Sequence, residues 1–162
     1  MLVLGVDPGT AILGYGLVRQ EGSALRAVDY GVLTTPAGLA LAERLCMLYA
    51  GLNQLLARHR PDAASVEQLF FTKNVKTALA VGHARGVTLL ALANAGLPIH
   101  EYTPLQVKQA VLGRGRGDKL QMQTMVRMLL GLPGIPQPDD AADALAIAIC
   151  HLNLARYLAL TR

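Results

Sequence analysis

The chain has 162 residues, 52% of them hydrophobic and 16% charged. That is enough to bury a core without disulfides or structural metal, and too apolar for a disordered chain. Its 15 lysines and arginines against 11 acids give a formal net charge of +4, a modest excess that admits an acidic partner without demanding one.

No stretch reaches the ~18 uninterrupted apolar residues of a membrane span. No basic segment leading into an apolar run opens the chain, so a cytoplasmic protein with no membrane partner is expected. Cys46 and Cys150 lie inside apolar helical patterns with no metal-ligand spacing. Both are expected to be small core residues in a reducing compartment.

The first element is a short apolar run over residues 2–7, a buried strand that ends on Asp7 just before Pro8 and Gly9. Residues 14–20 form a second strand, closed by the turn signal Glu21-Gly22-Ser23, and residues 25–33 form a third. Leu41, Leu45, Leu48, Leu52 and Leu55 fall at helical spacing, and Pro61 stops that helix. Residues 63–68 are the next strand. A helix with Leu79, Gly82, Gly86 and Leu90 on one side follows it and ends near Gly96-Leu97-Pro98.

Residues 99–103 are the last strand, and Pro104 suits the first turn of a helix that runs to about Leu112. The loop GRGRGDK spans residues 113–119. An amphipathic helix with Met122, Val126, Leu129 and Leu130 follows, and beyond a Pro-rich connection a final helix covers about residues 139–160. Three strands, then alternating helices and strands, then helices predict an α/β fold. Its five-stranded mixed sheet has an antiparallel meander plus parallel strands and is flanked by helices. Residues 1–162 read as a single domain with no repeat or linker.

Four acids stand where a purely structural role is unnatural. Asp7 and Glu67 each end a strand. If the two strands are parallel neighbours, both carboxylates reach the carboxyl edge of the sheet, where open α/β sheets place their ligands. Asp140 and Asp143, in DDAADALAIAI, share one face of the last helix, and the alanines around them let that face approach the sheet. Converging carboxylates repel one another, and hard divalent cations such as Mg²⁺ or Mn²⁺ relieve that repulsion. Three of them have a plain alternative, Asp7 as a turn residue before Pro-Gly, Glu67 as a solvated strand end and Asp140 (or its neighbour Asp139) as a helix cap, whereas Asp143 runs into a nearly all-apolar helix and is harder to dismiss.

Lys73, Lys76, Arg85, Lys108, Arg114, Arg116 and Lys119 make up a basic side of the chain. In GRGRGDK three cations interleave with glycines, a pattern that lays side chains and backbone N–H groups against phosphates. Phe70 and Phe71, the two phenylalanines of the chain, stand side by side just past Glu67. One of them suits the core and the other suits stacking on an unpaired base. His151 lies about three turns, or ~16 Å, beyond Asp140 on the last helix, too far to share a metal, so a packing or surface role is expected.

The ordered set LGVDPGTAILGYG, SVEQLFFTKN, QVKQAVLGRGRGDK and DDAADALAIAICH resembles the RuvC-type Holliday-junction resolvases of the ribonuclease-H-like nuclease superfamily. The likeness covers nearly the whole chain. It implies a ribonuclease-H-like fold and a metal-dependent crossover-junction endodeoxyribonuclease that makes paired symmetric nicks in four-way DNA junctions during homologous recombination and repair. It places the catalytic, metal-binding acids at Asp7, Glu67, Asp140 and Asp143, with two Mg²⁺ or Mn²⁺ ions per site clamping an in-line displacement at phosphorus. Asp140 keeps the family spacing to Asp143, whereas Asp139 does not.

The same likeness puts Phe70 against a base, and Lys108 and Lys119 near the scissile phosphate. Arg114 and Arg116 stand where the family loop carries small residues, which implies a stronger and less discriminating grip. It further implies a homodimer, a branch-migration helicase complex and a T-rich cleavage sequence. The helix with Gly82, Gly86 and Leu90 is the candidate dimer contact, with helix–sheet packing as its alternative use. Two rival readings are an ATP-binding domain of the actin and sugar-kinase type, from GVDPGT, and a non-catalytic junction-binding module.

Overall fold

The computed structural model describes residues 1–68 and 75–160. Strands β1 (Leu2–Asp7), β2 (Ile12–Glu21) and β3 (Ala24–Thr34) come first. They are followed by α1 (Leu41–His59), β4 (Ala63–Glu67), α2 (Val75–Asn94), β5 (Ile99–Tyr102), α3 (Pro104–Leu112), α4 (Lys119–Leu130) and α5 (Asp139–Leu160). The sheet order is β3-β2-β1-β4-β5. The first three strands form an antiparallel meander, and β1, β4 and β5 run parallel. The expected mixed sheet is therefore present.

Local chemistry explains the boundaries. Gly22 takes φ 61° in the tight turn between β2 and β3, a conformation without strain only for a residue lacking Cβ. Thr103 caps α3, accepting from the Gln106 amide at 3.1 Å while the Gln106 side chain accepts from the Thr103 amide at 2.9 Å. Asp118 and Gln121 make the same reciprocal pair at the start of α4. The glycine-rich loop accordingly ends at Asp118, and Lys119 is the first residue of α4 rather than part of the loop.

The sheet is covered on both faces. Leu2, Leu4 and Val6 of β1 pack with Leu48, Leu52 and Leu56 of α1 and with Ala84, Ala91 and Leu92 of α2. Val3 faces the opposite way, into Val107 of α3, Val126 of α4 and Leu145, Ile149 and Leu152 of α5. This double cover is why β1 reads as a continuous apolar run rather than an alternating one.

Glycines on that second face let α5 come close. A Cβ on Gly5 would sit 2.0 Å from the Ala144 carbonyl oxygen, and one on Gly14 would sit 2.0 Å from the Asp140 carbonyl oxygen. Ser65 of β4 secures the contact by donating from its hydroxyl to the Ile147 carbonyl at 3.1 Å.

Two expectations are corrected. Cys150 is buried, but Cys46 is exposed: α1 turns Leu48, Leu52 and Leu56 to the core, and Cys46 falls on its solvent side. On α2 the buried residues are Ala84, Thr88, Ala91 and Leu92, whereas Leu79 and Leu90 are exposed. Among the described residues nothing lies within 4 Å of a Cβ placed on Gly82 or Gly86. Those glycines therefore do not serve helix–sheet packing.

Candidate active site

The parallel register of β1 and β4 pairs Val6 with Val66, so the next residues, Asp7 and Glu67, end their strands side by side. Asp7 is also paired with Gly14 of β2, the glycine against which the Asp140 backbone packs. Glycine contact thus seats the first turn of α5 beside Asp7, and Asp143 follows one turn later. Four carboxylates from three elements converge on the carboxyl edge of the sheet.

Electrostatics record that convergence. The Asp7 carboxyl is pushed up to about 7, first by burial and then by Asp143, Glu67 and Asp140. Burial also raises Glu67, with Asp143 adding to the shift and Lys108 opposing it. Asp143 is raised by burial, against the pull of Lys119. These groups open into a cavity of about 240 Å³ lined by Asp7, Glu67, Lys108, Asp118, Lys119 and Asp143.

An all-oxygen, mutually repelling donor set suits a hard divalent cation, so the residues fit the metal that the sequence implies. Among the described residues, no three Asp, Glu, His or Cys side chains stand close enough to share an ion as they are placed.

The adjacent aspartates of α5 divide their work. Asp140 faces Asp7 and adds to its raised pKa, whereas Asp139 does not. Asp139 turns toward α4 instead, accepting from Gln123 Nε2 at 3.0 Å and from Lys119 Nζ at 2.8 Å. Those two bonds hold its carboxyl below the usual range.

The turn after Asp7 is braced by groups that local sequence pattern does not reveal. The buried Thr10 donates its hydroxyl to the Ala80 carbonyl of α2 at 2.5 Å. The Thr10 carbonyl accepts from the Thr35 hydroxyl at 2.6 Å, and Arg44 Nε donates to the Thr35 hydroxyl oxygen at 2.8 Å. Asp7 is thereby tied to α1, α2 and the end of β3. Thr10 belongs to the DPGT motif. For Thr35, Arg44 and Gln123, partners 9 to 25 residues away in sequence carry the role, and no short pattern marks them.

The basic residues separate as well. Lys108 and Lys119 line the cavity, and Arg114 and Arg116 are exposed between α3 and α4. Arg85 is engaged internally, donating from Nη1 to the Glu67 carbonyl at 2.8 Å and pairing with Glu101. It braces the end of β4 rather than presenting a free cation to a ligand. Phe70, Phe71 and Lys73 lie outside the described residues. His151 has the expected packing role: it is buried, hydrogen-bonded through Nδ1 to the Tyr102 hydroxyl at 2.7 Å and stacked on His100 at 4.1 Å. Burial, with help from His100, lowers its pKa to about 4, so it is neutral at physiological pH.

Comparison with known proteins gives a consistent result. The sequence profile of the family described as "Crossover junction endodeoxyribonuclease RuvC" matches residues 3–151. A protein of that name from Chloroflexus aurantiacus is 64% identical over 155 residues, covering 96% of this chain and 94% of its own length. The solved structure of Thermus thermophilus RuvC superposes with a TM-score of 0.90 at 41% identity, covering 97% of this chain and 96% of that one. A second structure, of T. thermophilus RuvC in complex with a Holliday junction substrate, reaches a TM-score of 0.92 at 40% identity, with the same coverage of 97% and 96%.

Proposed function

Because this chain belongs to the RuvC family of crossover junction endodeoxyribonucleases, we propose that Asp7, Glu67, Asp140 and Asp143 hold the divalent metal with which it cuts four-way DNA junctions. The chain is a metal-dependent endonuclease of recombination and repair. The observation that carries the residue assignment is the convergence of the four carboxylates, with Asp7 pushed up to about 7 by burial and by the other three. Two Mg²⁺ or Mn²⁺ ions would supply Lewis-acid stabilisation on both sides of the scissile phosphodiester.

The chain's own residues do the rest. Asp7, fixed by the Thr10 network, sits at the centre of the set. Glu67 and Asp140 flank it, and Asp143 completes the group. Lys108 and Lys119 face the same cavity from α3 and α4, where ammonium groups favour an anionic phosphate. Arg114 and Arg116 extend that positive rim along the DNA, and Phe70 is assigned to an exposed base on the family likeness alone.

A junction with two-fold symmetry needs two sites, and one chain carries one, so the working form is a homodimer. The α2 face with exposed Leu79 and Leu90 beside Gly82 and Gly86 is the contact we assign to it. Association with a branch-migration helicase, and work in the cytoplasm, are assigned on the family likeness alone. Residues 1–162 are read as one nuclease domain. The rival readings account for less. An ATP-binding domain leaves Asp140 and Asp143 unexplained, and a non-catalytic module has no use for four carboxylates that repel one another.

The test is a synthetic four-way junction incubated with the chain and Mg²⁺ or Mn²⁺. Two symmetric nicks are expected, with two chains per junction by sedimentation, while a linear duplex of the same sequence stays intact. Equal nicking of the duplex would remove junction selectivity from the reading. For the loop, Arg114→Ala with Arg116→Ala is expected to reduce the slope of log K against log salt by about 1–2, since each phosphate contact contributes ~0.9. An unchanged slope would take both arginines off the phosphates.

A further inference from the structure

The position of Asp139 has a use that metal ligation by its neighbours does not cover. Lys119 and Gln123 are four residues apart on α4 and so present the same helix face. Gln123 is buried, and its amide donates to Asp139 Oδ1 at 3.0 Å. With one oxygen anchored there, Asp139 accepts from the Lys119 ammonium through the other at 2.8 Å. The same ammonium stands 3.9 Å from Asp143 Oδ2, at the mouth of the carboxylate group.

The ammonium is attracted by the charge of Asp143, Asp140 and Asp7 as well. If it moved onto Asp143 it would occupy the charge that a divalent cation needs. The Asp118–Gln121 capping pair fixes the backbone from which Lys119 projects, so the side chain alone sets where the charge rests. Asp139 offers it the nearest partner, and that partner lies outside the metal-binding group.

We propose that Asp139 is a positioning residue that tethers the Lys119 ammonium at the rim of the carboxylate cluster, holding it at 3.9 Å from Asp143 rather than in close contact, so that a divalent cation can bind there. The inference rests on the reading of Asp7, Glu67, Asp140 and Asp143 as the metal site.

Mn²⁺ binding to the full chain without DNA, followed by the loss of the free-ion paramagnetic resonance signal, tests it through a double-mutant cycle. Asp139→Asn is expected to raise the half-saturating Mn²⁺ concentration about 3–5-fold, the range of a single exposed ion pair. In a Lys119→Ala background the same substitution is expected to change it by less than about 1.5-fold.

An equal shift in both backgrounds would overturn the tether, since Asp139 would then act as a ligand or as a remote negative charge. No shift in either background would overturn it too. A native chain that binds no Mn²⁺ would overturn the tether together with the metal site beneath it, whereas normal Mn²⁺ binding with a failed cycle removes the tether alone.

Discussion

Asp7→Asn is expected to abolish junction cleavage, by at least ~10³-fold in kcat, to leave junction binding intact, and to raise the melting temperature of the metal-free chain at pH 8. The first two effects follow from removing the central anionic donor without touching the basic rim. The third follows from the sign of its pKa shift. The carboxyl moves from 3.8 to about 7 on folding, so the folded chain holds the proton more tightly than the unfolded one. Stability of the metal-free chain therefore falls as pH rises from about 4 to about 7, and the full penalty is present above that window.

Asparagine carries no charge and removes the penalty. With a contribution on the order of 2 kcal/mol after allowance for coupling among the acids, the melting temperature should rise by about 4–8 °C at pH 8. The gain should vanish near pH 4, where the native carboxyl is already protonated. Divalent metal should stabilise the native chain more than Asp7→Asn. Undiminished cleavage would sink the assignment of Asp7, and a lower melting temperature at pH 8 would sink the electrostatic account of its strain.

Gly14→Ala is expected to cost about 2–4 kcal/mol of stability and ~10²-fold in cleavage rate. The new Cβ would lie 2.0 Å from the Asp140 carbonyl oxygen and 2.5 Å from its carbonyl carbon. Both are backbone atoms of a packed helix, so no rotamer change relieves the clash. Helix α5 must move off the sheet, carrying Asp140 and Asp143 away from Asp7 and Glu67. Gly5→Ala, 2.0 Å from the Ala144 carbonyl oxygen, should destabilise in the same way one turn further along.

The control is Gly38→Ala, which has nothing within 4 Å and is expected to stay within about 0.5 kcal/mol of the native chain. Chemical denaturation with cleavage assayed on the same preparations measures both quantities. A Gly14→Ala chain of native stability and rate would show that α5 does not seat the aspartates.

Most of the fold was legible because its signals are local. The apolar run before Asp7, the Glu21-Gly22-Ser23 turn, Pro104 at a helix start and the all-apolar continuation after Asp143 each report a conformation through neighbouring residues. The carboxylates were legible as a set because acids at strand ends and at a helix start conflict with the burial around them.

Other residues misled for the complementary reason. Cys46 matches the apolar content of α1, but its rotation about the helix axis points it to solvent. Arg85 reads as one more cation of a basic side, yet it is drawn to the Glu67 carbonyl and Glu101.

By itself the sequence determined the element order and the mixed sheet and marked the four acids as candidates, since apolar periodicity and turn chemistry act over a few residues. Only the tertiary structure decided how those acids are arranged and held. The different partners of Asp139 and Asp140, the bracing of the Asp7 turn by Thr10, Thr35 and Arg44, and the outward face of α2 depend on which elements pack together. Contacts between residues as far apart as Thr10 and Ala80 are set by that packing, and no local pattern encodes them.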